Sequence, residues 1–131
     1  MKVYNFGKTY LFHENSIIDF QLNKSKLIIH LENGIYNCIT NTVEDSKIEL
    51  EIENFHKNQL YGNIIISKNK KRNISIRKFK KLLLKNKFKI YLDLYSSVFN
   101  VILLKGTINK MELEIFISEV CNVQVGQKQD Y

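Results

Sequence analysis

Apolar and polar residues alternate along most of the chain, the period of a strand that buries one face. Lys47–Glu53 shows it cleanly, with Ile48, Leu50 and Ile52 set against Glu49, Glu51 and Glu53. The same pattern predicts strands over Ile17–Leu22, Leu27–Leu31, Ile35–Ile39, Leu60–Ser67 and Phe88–Tyr95. In the last of these it turns Phe88, Ile90, Leu92 and Leu94 inward, leaving Lys89, Tyr91 and Tyr95 on the outer face. Val98–Ile108 is apolar at both parities around Ile102–Leu104, which predicts a central strand covered on both faces. A final strand starts at Met111 and runs to Val120, extending toward Val125. Asn33-Gly34 separates two of these runs and is a type I′ hairpin signal, because both turn positions need positive φ. Asn23-Lys24-Ser25, Glu44-Asp45-Ser46 and Asn109-Lys110 supply further turns.

One segment departs from the period of two. From Ser75 to Asn86, Ile76, Phe79, Leu82 and Leu83 form a single helical stripe, with Arg77, Lys78, Lys81 and Lys85 roughly opposite. Ser75 or Asn73 is placed to cap the start, and Leu84, outside the stripe, marks the end. The expected architecture is α+β in a single domain spanning residues 1–131. It is an antiparallel meander of about eight strands, curled into a sandwich or half-barrel. One amphipathic helix near 75–86 is inserted between the fifth and sixth strands and packs on one face.

Composition supports that reading. The 131 residues include no Pro and no Ala, the best helix former, but 18 Ile and 15 aromatic residues, which favour strands. A chain of this length buries enough surface to fold without a metal or disulfide. Met1–Asp19 has no apolar core of a signal peptide, and no apolar run is long enough for a membrane span, so a cytoplasmic protein that does not engage membranes is expected. Cys38 and Cys121 belong to no metal-binding spacing and read as two buried thiols.

Charge changes the picture more. The net charge of +7 is carried by 18 Lys and 2 Arg, an excess of lysine that AT-rich coding also produces. Residues 56–90, however, hold 12 Lys or Arg and no acid, while the segments before and after them carry net charges of −3 and −2. Codon bias does not exclude every Asp and Glu from 35 consecutive residues. Lys68, Lys70, Lys71 and Arg72 cluster before the helix; Arg77, Lys78, Lys80, Lys81, Lys85, Lys87 and Lys89 line the helix and its exit. Arg77 and Lys78 fall in the first helical turn, where the macrodipole disfavours cations by roughly 0.3–1 kcal/mol each. The strip is either a solvated face, an intramolecular partner for acidic ladders such as Glu49-Glu51-Glu53, or a surface for an anionic partner. With a nucleic acid, lysines would contact phosphates, since bidentate base readout wants arginine. Tyr91 and Tyr95 would then offer stacking or anchoring positions beside Lys89.

Candidate chemistry is sparse. His13-Glu14-Asn15-Ser16 brings together residue types a hydrolase uses, but neighbours on an extended chain point in different directions. His13, His30 and His56 are scattered, and no phosphate loop, dinucleotide fingerprint or zinc-protease motif occurs. No enzyme activity, metal or cofactor is therefore expected.

Tyr10-Leu11-Phe12-His13-Glu14-Asn15-Ser16-Ile17-Ile18, the strand Leu27–Leu31, and Glu32-Asn33-Gly34-Ile35-Tyr36 resemble a group of small uncharacterised β-rich bacterial proteins. These open on Leu-His-Asp-x-x-Ile, with Glu14 standing here in place of the Asp, and are similar in type to toxin-immunity proteins and phage anti-defence inhibitors. The resemblance implies non-catalytic binding and supplies no site residues. The combined expectation is a small inhibitor that blocks an acidic or nucleic-acid-binding groove of a larger protein. Lys70, Lys71, Arg72, Arg77, Lys78, Lys81 and Lys85 would supply the charge, with Tyr91 and Tyr95 as anchors. Direct binding of nucleic acid or nucleotide through the same strip is the alternative. A homodimer through an edge strand is also open.

Overall fold

The computed structural model describes residues 3–12, 14–23, 26–44, 47–52, 64–67, 71–96, 98 and 100–126. The described elements are α1 (Val3–Thr9), β1 (Tyr10–Leu11), β2 (Ser16–Asn23), β3 (Lys26–Leu31), β4 (Ile35–Asn37), β5 (Thr42–Glu44), β6 (Lys47–Ile52), β7 (Ile64–Ser67), β8 (Lys71–Asn73), α2 (Ile76–Leu83), β9 (Phe88–Ser96), β10 (Val101–Ile108), β11 (Met111–Ile117) and β12 (Val120–Val125). The protein is α+β and mostly antiparallel sheet, with twelve described strands where alternation alone suggested about eight. Of the additional strands, β1, β5 and β8 are pieces of two or three residues, in which a period of two has no room to show, and β12 is split from the predicted run that begins at Met111.

Nine strands form one sheet in the order β12-β6-β3-β2-β9-β10-β11-β7-β8, and β1-β4-β5 form a second, smaller one. The meander order holds locally, through β2–β3 and β9–β10–β11. Elsewhere long-range pairs replace it: β2 pairs with β9, and β6 with β12. The large sheet is strongly curled, for a reason that chain length enforces. β11 and β12 are joined by Ser118-Glu119 alone, yet six strand positions separate them in the sheet order. In a flat sheet that separation is roughly 29 Å, whereas a two-residue link reaches about 10 Å. The halves therefore fold toward each other, and the Val120 N–H donates to the Asn100 carbonyl at 3.0 Å. Helix α1, which the alternation did not predict, packs on both β9 and β12 and buries Val3 and Phe6.

The core collects the inward faces of both halves. Ile48, Leu50 and Ile52 of β6 are buried as their alternation predicts, as are Phe20, Ile29, Phe88 and Ile102. Helix α2 contributes Ile76, Phe79 and Leu83. The Phe79 ring meets Phe20 and Phe88 edge-on, with centroids 5.3 and 5.9 Å away. This bolts α2 to β2 and β9. The predicted Ser75 cap is present, its hydroxyl oxygen accepting the Lys78 N–H at 3.1 Å. The helix stops at Leu84, which is 83% exposed.

Several expectations are corrected. Asn33-Gly34 does not close a hairpin: β3 pairs with β2 and β6, while β4 pairs with β1 and β5. Only Gly34 there has positive φ, so the turn carries the chain from the large sheet to the small one. Asn109-Lys110, with φ of 49° and 63°, is a two-residue hairpin turn with positive φ at both positions, and it joins β10 to β11. The predicted Met111–Val125 run divides at Glu119, whose φ is 56°. On β10 the face of Ile102 and Leu104 is buried, but Val101, Leu103 and Lys105 on the other are only partly covered. Cys38 and Cys121 are exposed thiols outside any disulfide, rather than buried ones. Cys38 lies in the turn after β4, and Cys121 is the extra residue of a bulge between β12 and β6.

A bulge also redirects β9. Lys105 pairs with Leu92 and Gly106 with Ile90, leaving Tyr91 without a cross-strand partner. The extra residue inverts the parity beyond it. Leu94, expected inside, is 51% exposed, and Tyr95, expected outside, packs against Phe6 and Phe12. The Leu60–Ser67 strand is described only as β7; residues 60–63 lie outside the described residues.

Candidate functional site

The basic strip gathers on α2 and the turn that follows it. Burial of Ile76, Phe79 and Leu83 fixes the helix roll, so Arg77, Lys78, Lys80, Lys81 and Lys85 are all exposed. None of the five forms an ion pair among the described residues. One acid of each ladder is engaged elsewhere: Glu49 with Lys26 at 2.9 Å, and Glu114 with Lys105 at 3.4 Å. The Glu49 hydrogen bond holds the Lys26 ammonium above its ordinary pKa. Within the strip, Lys87 does find an internal acid, Glu32. The charge of α2 is thus left to solvent or to a partner.

Beside these cations runs a groove of about 430 Å³ between α2 and β2. Its apolar wall is Ile18, Leu22, Ile76, Leu83 and Leu84; its basic rim is Arg77, Lys80 and Lys81. Asp19 is the acidic residue among the described ones that line it. Ile18 reaches it from a third bulge, where Ile17 pairs with Leu31 and Asp19 with His30, leaving Ile18 unpaired. An apolar trough edged by cations can seat an apolar group whose neighbours are anionic.

Of the residues singled out from sequence, Arg77, Lys78, Lys81 and Lys85 come together on this surface. Lys71 and Arg72 lie on β8, paired through their backbones with Ser67 and Ile66, and their side chains are outside the described set. Lys70 is outside the described residues. Tyr91 is 47% exposed on the β9 bulge. Tyr95 does not share its face: its ring stacks near Phe12 at 6.4 Å, and its hydroxyl donates to Asp93 at 2.8 Å. Sequence reasoning did not assign Lys80, Ile18, Leu22 or Leu84 to a site. Leu84 carried a signal, an apolar residue outside the helix stripe, and so did the paired Ile17-Ile18, which a strand of strict period does not need.

A larger concavity of about 880 Å³ lies over β2, β3, β6 and β12, where Asp19, His30, Lys47 and Glu49 give it mixed charge. Asp19 also accepts a hydrogen bond from Gln21 at 2.7 Å. Among the described residues no three of His, Cys, Asp and Glu gather as a metal site would require. His13 lies outside the described residues; Glu14 beside it occupies a tight turn at φ 60°, its N–H donating to the Ile90 carbonyl at 3.2 Å. No described helix is long and apolar enough to cross a membrane.

Two further patches are apolar and open. Leu11, Tyr36 and Val43 are cross-strand neighbours on the small sheet, at 36, 43 and 55% exposure. Leu94, Leu103 and Phe116 form a similar row across β9, β10 and β11. No protein-family model, curated protein or solved structure matches the chain.

Proposed function

We propose that the protein is a non-enzymatic binding protein that docks on an acidic surface of a larger protein through α2 and its exit turn. The inhibitory role of an immunity or anti-defence protein fits that mode, because occluding a groove needs a surface and no chemistry. One observation carries the reading: five exposed cations on one helix and its exit turn, none of them ion-paired among the described residues. Two of them, Arg77 and Lys78, stand in the first turn against the helix dipole. Lys78 moreover occupies the position where Ser75-x-x-Glu would make a capping box, so the local helix gains nothing from a cation there. Docking would act in the cytoplasm, where exposed thiols such as Cys38 and Cys121 stay reduced.

The test is charge reversal at Lys78, Lys81 and Lys85 together, with affinity for the isolated partner measured across a salt series. Loss of about tenfold or more, with a flatter salt dependence, is expected, since each 1.4 kcal/mol is tenfold. Unchanged affinity and salt response overturn the reading. Tight, steeply salt-dependent binding of an oligonucleotide would transfer the same surface to nucleic acid.

A further inference from the structure

The groove beside the cations narrows the partner's chemistry. We infer that it receives an acidic amphipathic protein segment, whose apolar side chain seats between α2 and β2 while flanking carboxylates reach Arg77, Lys80 and Lys81. The inference rests on the docking reading above and adds an anchor to it.

Three observations combine. First, Leu84 is 83% exposed at the mouth of the groove, held there by the helix end: the Leu84 N–H donates to the Lys81 carbonyl at 3.3 Å, and Asn86 closes the turn on Leu82. An exposed leucine beside partly buried Ile18 and Leu22 makes a continuous apolar seat that solvent alone does not explain. Second, the volume of about 430 Å³ suits one or two large side chains, the scale of a hot-spot anchor. Third, among the described residues the lining carries three cations, Arg77, Lys80 and Lys81, against one acid, Asp19. Charge complementarity therefore selects an acidic occupant. The groove does not suit bases: among the described residues its lining holds no aromatic side chain, and Phe20, Phe79 and Phe88 are fully buried in the core. An amphipathic helix laid in such a trough presents apolar anchors at i, i+3 and i+4 with carboxylates on either side.

The experiment uses the full chain and four fluorescent probes. One is an amphipathic peptide of Leu and Glu with leucines at helical spacing. The others are an oligoglutamate and an oligothymidylate of equal charge, and anionic lipid vesicles. The peptide is expected to bind about tenfold more tightly than oligoglutamate. Leu84→Ser, at an exposed position that leaves the core intact, should remove that advantage and leave oligoglutamate binding unchanged. Lys80→Glu combined with Lys81→Glu should weaken both. Equal affinity for peptide and oligoglutamate, or a Leu84→Ser variant that binds the peptide as well as the parent, overturns the anchor while leaving charge-driven docking in place. Indifference of both acidic probes to the lysine reversals overturns the docking reading too. Preference for oligothymidylate or vesicles over the peptide also overturns the inference.

Discussion

Gly106 stands opposite the bulge at Tyr91, and its missing side chain is what lets β10 close on β9 there. A Cβ at this position would lie 2.2 Å from the Lys89 carbonyl oxygen and 2.7 Å from the Phe88 ring. Gly106→Ala is expected to lose about 1–3 kcal/mol, read by urea unfolding, because backbone on one side and a locked core ring on the other leave no room to yield. Two tyrosines set a different sensitivity. Burial, reinforced by the bond its hydroxyl donates to Glu44, pushes Tyr10 up to about 12. Burial and the adjacent Asp93 also raise Tyr95. Folded Tyr10 keeps its proton at a pH where the unfolded chain, titrating near 10, has released it. That contribution is complete below pH 10 and is lost as pH rises toward 12. Unfolding measured from pH 8 to pH 12 should show a shallower alkaline loss for Tyr10→Phe than for the parent. Neither feature was legible from spacing. A bulge adds one residue without marking it, so Tyr95 is assigned outward by a count that is correct only as far as Tyr91.

At the scale of an element, α2 shows what can be read and what cannot. Its stripe, its Ser75 cap and its end at Leu84 all follow from local rules, because a helix makes its hydrogen bonds within itself. The side of the sheet it packs on, and the groove this leaves against β2, depend on Phe79 meeting Phe20 and Phe88 from distant segments. Lys78→Glu sharpens the relation between helix and function. It completes the Ser75-x-x-Glu capping box and replaces a cation with an anion at the positive end of the dipole. Stability should rise by about 0.5–1 kcal/mol, measured by denaturant unfolding, while partner affinity falls. A variant that weakens neither binding nor its salt dependence would reduce α2 to a solvated face. The same logic explains the misread Asn33-Gly34: the dipeptide states that the chain turns, but not which strand it turns toward.

For the whole molecule, the alternation sorted inward from outward on β6 and much of β3, yet said nothing of strand order. The pairing of β6 with β12 joins segments far apart in the chain, and the two-residue crossing from β11 to β12 carries the chain between opposite ends of the strand order; no local pattern encodes either. Ending the chain after Glu119 tests how much rests on that closure. It removes Val120 and Val123 from the core, strips α1 of one of its supports and leaves β6 with a free edge. The shortened protein should elute as soluble aggregate rather than monomer in size-exclusion chromatography, with a lost near-ultraviolet signature; a cooperative, monomeric product would contradict the account. The dependence of β6 on β12 also sets a timetable. The bulged Cys121 of β12 bonds to Glu51 of β6 across 70 positions of sequence. A ribosome adding about 5–20 residues per second leaves β6 waiting roughly 4–14 s for its neighbour. During that interval one margin of the nascent sheet has nothing to pair with, so the chain carries an open strand edge while the segments between β6 and β12 are being made.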